Sequence, residues 1–220
     1  MAKFLKLDTL QKIRTTGIVP VFYHADAATA CQVLKSCYDG GIQAFEFTNR
    51  GDGADLVFAQ LMAFCRAECP DMALGAGTVL EAPTAARYIQ LGADFIVGPN
   101  LNPEVARLCN RRGVPYTPGC GTVTEISNAQ ELGCELVKVF PAGCVGGPAF
   151  IKNVLAPLPW AMLMATGAVE PTQENLQAWA ASGVTAVGMG SRLFPKEALA
   201  KGDWQAVTQL CRNCLTWFRK

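Results

Sequence analysis

Charge is scarce in this chain: Asp, Glu, Lys and Arg make up 17% of its 220 residues and leave a net charge of +1. That excludes a solvated coiled coil and a long disordered tail, which need far more charge. It also excludes the basic excess of a surface that binds nucleic acid. Histidine is almost missing, His24 being the only one. Apolar runs of membrane length are missing too. No uncharged stretch is longer than residues 153–169, which contain Pro157, Pro159 and Gly167 and fall short of the roughly 20 apolar residues a membrane helix needs. Residues 1–14 carry Lys3, Lys6, Asp8 and Lys12, without the apolar core and cleavage site of a signal peptide. A soluble, cytoplasmic protein with no membrane partner is the expectation.

Apolar material, by contrast, is plentiful. Half of the residues are hydrophobic, with 21 Gly and 13 Pro, enough for a sizeable core in one domain spanning residues 1–220. The ten cysteines are scattered through apolar stretches without paired spacing, and a chain of this length needs no disulfide staples. Cys211 and Cys214 form a C-x-x-C, but a structural zinc site wants a second pair or nearby histidines. On an amphipathic helix they read as small hydrophobes, and no metal is expected.

Short apolar runs alternate with segments of helical period from end to end. Strands are expected at residues 17–23, 44–48, 72–76, 93–97, 114–117, 136–140, 161–165 and 184–188. Pro115 interrupts the fifth. Helix starts are signalled by Asp26, Pro83-Thr84, Asn102-Pro103, residues 122–125 and Pro171-Thr172. Eight strand-helix alternations imply a parallel sheet with crossover helices, either an open doubly wound sheet or a closed (β/α)8 barrel. The barrel is favoured, with extra helices at residues 4–15 and 204–218 packing over it.

Lys138 is the most informative residue. It sits inside the apolar strand Leu136-Val137-Lys138-Val139-Phe140, where burying an ammonium costs several kcal/mol unless it is paired or neutralised. Burial favours the neutral amine, the form that makes Schiff bases with carbonyl compounds. Glu46, between Phe45 and Phe47, poses the same question. Arg50, at the end of that strand, is placed to grip a carboxylate or to pair with Glu46. For both Lys138 and Glu46, a structural ion pair stands beside the catalytic reading. Three G-x-G triplets start at Gly75, Gly119 and Gly188, but Leu80, Thr124 and Leu193 occupy the place where a dinucleotide fingerprint needs another Gly. They read as turns after strands, either facing a ligand with their N–H groups or merely needing glycine.

Taken together, Phe45-Glu46-Phe47-Thr48-Asn49-Arg50, Gly75-Ala76-Gly77-Thr78-Val79, Val137-Lys138-Val139-Phe140-Pro141-Ala142, Gly146-Gly147 and Thr166-Gly167 resemble the class I 2-keto-3-deoxy-6-phosphogluconate / 2-keto-4-hydroxyglutarate aldolases, over residues 17–194. The resemblance implies a (β/α)8 barrel, a homotrimer, and no metal or cofactor. It implies that Lys138 forms the Schiff base and Glu46 moves protons. Arg50 would bind the pyruvyl carboxylate, Thr78 and Thr166 line the pocket, Phe140 pack beside the imine, and Gly167 and Ser191 hold a distal phosphate.

The chain departs from the family where Thr166-Gly167-Ala168 replaces Thr-Gly-Gly, since Ala resists the positive φ that Gly accepts. Arg192, next to Ser191, reads as an anion ligand or as a surface charge, the latter preferred. The leading expectation is cleavage of 2-keto-3-deoxy-6-phosphogluconate to pyruvate and an aldehyde. Within the same chemistry, 4-hydroxy-2-oxoglutarate or a 6-phosphogalactonate-type keto acid is the alternative substrate. A non-catalytic sugar-phosphate-binding barrel, or a lyase using Glu46 as base without an imine, comes from a different class.

Overall fold

Short buried strands and helices alternate through residues 2–218, the part of the chain that the computed structural model describes. The first half runs α1 (Lys6–Thr16), β1 (Ile18–Phe22), α2 (Ala27–Asp39), β2 (Ala44–Thr48), α3 (Ala54–Glu68), β3 (Ala73–Gly77), α4 (Ala82–Leu91), β4 (Ile96–Val97) and α5 (Pro103–Arg112). The second half runs β5 (Tyr116–Thr117), β6 (Gly119–Cys120), α6 (Val123–Glu131), β7 (Leu136–Val139), α7 (Gly147–Leu155), β8 (Met162–Thr166), α8 (Gln173–Ala181), β9 (Ala186–Met189), α9 (Lys196–Lys201) and α10 (Trp204–Phe218).

The helix starts follow the sequence signals. Asp26 caps α2 through Thr29 N at 2.8 Å, Asn102 caps α5 through Glu104 N at 2.9 Å, and Thr122 with Glu125 forms a full capping box on α6. Thr172 caps α8.

All strand pairs are parallel, in the order β5-β4-β3-β2-β1-β9-β8-β7-β6. The two ends of that order, β5 and β6, are separated in the chain only by Pro118, so the sheet closes on itself. β5 and β6 are two halves of one barrel strand, broken where Pro118 has no N–H for the ladder. Its carbonyl still accepts from Lys138 N at 2.9 Å. The expected fifth strand therefore lies slightly later than residues 114–117, and the interruption falls at Pro118 rather than Pro115.

Followed once around from Lys138, the Cα pairings return to the β7 line eight residues short of where they began. This is the shear of an eight-stranded α/β barrel. The shear sorts the inward residues into layers of four from alternate strands. Leu136, Ala186, Ala44 and Phe95 share one layer, and Thr117, Met164, Val19 and Gly75 the next. Above these come Lys138, Gly188, Glu46 and Val97, then Gly119, Thr166, Val21 and Gly77. The apolar members of the lower layers form an inner core, whereas Phe45, Phe47, Val137 and Val139 point outward into a core shared with the helices.

The two terminal helices do different jobs. α1 plugs the bottom of the barrel, with Ile13 and Leu10 in the inner core. Asp94, buried just ahead of β4, fastens the segment ahead of α1 by accepting from Lys3 N at 2.6 Å and Phe4 N at 3.3 Å, and it also accepts from Leu74 N of β3 at 3.0 Å. α10, expected as an extra helix, instead packs between α2 and α8 and completes the outer ring as its eighth member. Cys211 and Cys214 are buried there as free thiols.

Candidate active site

Strand alternation and shear place Lys138 and Glu46 in one layer, on strands at opposite sides of the barrel. Lys138 is 6% exposed and Glu46 1%, although both are charged residue types. The Lys138 Nζ lies 4.9 Å from the centroid of the half-buried Phe140 ring. Glu46 Oε2 has no hydrogen-bond partner among the described residues. Burial pushes the Glu46 carboxyl above its ordinary value, opposed by the positive charges of Lys138 and Arg50. The two are not in ion-pair contact, so the simple structural-pair reading does not describe them.

The G-x-G triplets are only in part turns after strands, with Gly121 and Gly190 lying just beyond β6 and β9. Gly75 and Gly77 lie within β3, Gly119 in β6 and Gly188 in β9, and each faces the barrel interior. Their missing side chains make room. A Cβ at Gly77 would stand 2.7 Å from Glu46 Cγ. One at Gly75 would stand 2.5 Å from Cζ of Phe95, and one at Gly188 would collide with Thr166 Oγ1. At Gly75, Gly77 and Gly188 glycine is thus required by what crosses the barrel, whereas Gly121 and Gly190 have room for a Cβ.

The other sequence-predicted residues gather at the C-terminal mouth. Arg50 is exposed in the loop after β2 and makes no ion pair among the described residues. Its loop is anchored by Asn49, whose N donates to Gly77 O at 2.8 Å and whose Oδ1 accepts from Tyr88 at 2.9 Å. Thr78, half-buried just beyond β3, has φ 59°, a strained value for a β-branched residue. Thr166 is 9% exposed and its Oγ1 is unpartnered among the described residues. Gly167 follows at φ 99°. Ser191, exposed, opens a short 3-10 turn after β9.

Ala168 adopts φ 59°, so the turn keeps a left-handed backbone despite the methyl group. Asn175 of α8 holds it there, donating to Ala168 O at 3.3 Å and accepting from Glu170 N at 2.9 Å. The methyl occupies space that a side chain at Gly143 would need, since a Cβ there would stand 2.5 Å from Ala168 Cβ. Arg192 pairs with Glu170 across the two rim loops, as a surface charge.

Sequence reasoning passed over two hydroxyls of the barrel interior. Thr48 faces the mouth and donates to Phe22 O at 3.4 Å. Thr117 is buried lower down. Strand alternation was the signal for both, hidden for Thr117 by prolines on either side. Among the described residues no three His, Cys, Asp or Glu side chains gather as a metal site, and no helix is long and apolar enough to cross a membrane.

The comparisons with known proteins agree with this geometry. The chain is 34% identical over 208 residues to the 2-dehydro-3-deoxy-phosphogluconate aldolase of Treponema pallidum (strain Nichols), covering 94% of this chain and 95% of that protein. It is 29% identical over 206 residues to the KHG/KDPG aldolase of Escherichia coli (strain K12), covering 93% and 94%. The crystal structure of KDPG aldolase from Legionella pneumophila, with pyruvate captured as a covalent carbinolamine intermediate, matches with a TM-score of 0.83 at 25% identity, covering 93% of this chain and 96% of that one. The family model for KDPG and KHG aldolase matches residues 10–210, and this chain belongs to that family.

Proposed function

We propose that this chain is a Schiff-base (class I) aldolase, a carbon–carbon lyase that cleaves 2-keto-3-deoxy-6-phosphogluconate to pyruvate and glyceraldehyde 3-phosphate. Residues 1–220 form one catalytic domain in this reading. The observation that carries it is the single layer holding Lys138 and Glu46, both buried and facing each other beneath a mouth that bears Arg50 and Thr78. Capture of pyruvate as a carbinolamine in the L. pneumophila enzyme supports the covalent route over a barrel that merely binds sugar phosphates.

The Lys138 amine attacks the C2 carbonyl to give a carbinolamine, and loss of water gives the protonated imine. Glu46 carries the protons of these steps and takes the proton of the C4 hydroxyl. The C3–C4 bond then breaks, and its electron pair moves to the imine as an enamine. Protonation at C3 and hydrolysis release pyruvate. Arg50 holds the carboxylate, Thr78 and Thr166 line the pocket, Phe140 packs beside the imine, and Gly167 and Ser191 receive the distal phosphate.

We also read the chain as a cytoplasmic homotrimer of carbohydrate metabolism. Exposed Leu56 and Leu80, at 60% and 55% exposure, support a shared surface, and sedimentation as a monomer would contradict it.

The substrate is tested by pyruvate release from three keto acids. 2-Keto-3-deoxy-6-phosphogluconate is expected to give the highest kcat/KM, with the activity lost in Lys138→Ala. A higher value on 4-hydroxy-2-oxoglutarate or on the 6-phosphogalactonate-type compound moves the assignment to that substrate. No pyruvate from any of the three contradicts it.

A further inference from the structure

The aldolase reading leaves one buried hydroxyl of the barrel interior with neither a partner among the described residues nor a task. Thr117, on β5, is 1% exposed, and its Oγ1 has no hydrogen-bond partner among the described residues. Its direction is fixed by its neighbours. Tyr116 and Cys120 belong to the outer core, whereas Thr117 pairs with Val97 of the inner core. Within its layer Val19 and Met164 are apolar, and the place opposite Gly75 is taken up by the Phe95 ring. Thr117 is therefore the one polar side chain, among the described residues, in the layer directly under Lys138 and Glu46.

It also stands beside Lys138. Two residues further along the same barrel strand is Gly119, whose Cα pairs with that of Lys138. A hydroxyl left unsatisfied in an apolar wall costs about 1–3 kcal/mol, and valine would fill the same volume without that cost. A hydroxyl and an amine on adjacent strands, one layer apart, give a buried water the polar partners it needs.

We propose that Thr117 is a positioning residue, in an inference that rests on the aldolase reading. Its hydroxyl anchors an ordered water on the pocket floor, and this water accepts a hydrogen bond from the Lys138 amine. The amine then keeps its lone pair turned up toward the mouth, where the keto carbon arrives. Thr117 itself makes and breaks no bond.

The test compares Thr117→Val, which keeps the branched shape and removes the hydroxyl, with Thr117→Ser, which keeps the hydroxyl. The readout is the rate at which borohydride traps pyruvate on Lys138, with KM, kcat and Tm measured alongside. Thr117→Val is expected to trap on the order of 10- to 100-fold more slowly, with KM unchanged and Tm equal or higher. Thr117→Ser is expected to recover most of the rate. Thr117→Val trapping at the parent rate overturns the proposal, and so does Thr117→Ser trapping as slowly as Thr117→Val. Absence of the adduct in the unmutated chain contradicts the aldolase reading itself, and this proposal with it.

Discussion

Glu46 is held in a buried position that costs the fold stability. Burial raises its carboxyl pKa above the ordinary 4.5 in spite of Lys138 and Arg50. A carboxyl that binds its proton more tightly in the folded state contributes stability that is fully present below the unfolded value. That contribution is lost as pH rises through the folded value. At neutral pH, above the unfolded value, burial of the Glu46 carboxyl therefore works against folding. Glu46→Gln is expected to raise Tm at pH 7 by about 2–4 °C, corresponding to roughly 1 kcal/mol, with the gain vanishing below pH 4.5. The same variant should lower kcat by about 10²- to 10⁴-fold. Thermal melts across pH, paired with turnover, check both. Lys138 and Glu46 were legible in the sequence because a charge inside an apolar strand has few explanations. What the sequence concealed was why Gly75, Gly77 and Gly188 are glycine. That follows from which side chains cross the barrel, and so from the shear rather than from any local motif.

At the scale of elements, helix starts were easier to read than strand ends. Caps such as Asp26, Asn102 and Thr122 act over three residues, so their pattern is local. Strand limits depend on the register of neighbours. β4 shrinks to Ile96–Val97, which its own residues do not dictate, and of the two prolines near the fifth barrel strand it is Pro118 that divides it. The role of α10 was likewise hidden, because an amphipathic helix looks the same whether it lies over a barrel or completes its ring. α1 differs from the ring helices in plugging the barrel's lower end, and Asp94 ties its leading segment to β3 by accepting from Lys3 N, Phe4 N and Leu74 N. Asp94→Ala strands those donors and is expected to cost about 1–3 kcal/mol. Denaturant unfolding should report that loss, and hydrogen exchange should quicken first at Lys3, Phe4 and Leu74. Unchanged exchange at these amides would show that the plug does not depend on Asp94.

The whole molecule is a barrel with a largely apolar lower interior and a polar mouth, wrapped by a core between strands and helices that takes in the buried thiols. Eight of the ten cysteines are buried, and burial pushes those at Cys65, Cys109, Cys120, Cys134 and Cys214 up to about 12, away from the reactive thiolate. Cys144 is exposed on the rim after β7 and Cys31 is partly exposed. A thiol reagent at neutral pH is therefore expected to label Cys144 first and Cys31 more slowly, with the other eight reacting only on unfolding. Early labelling of Cys211 or Cys214 would contradict their place in the ring. The proposed reaction turns on one amine at the centre of the barrel. Its most direct test is incubation with pyruvate and borohydride, followed by peptide mass spectrometry. A reduced pyruvyl adduct on Lys138, absent from Lys138→Ala, is the predicted result. A folded protein in excess pyruvate that carries no adduct at Lys138 would contradict it.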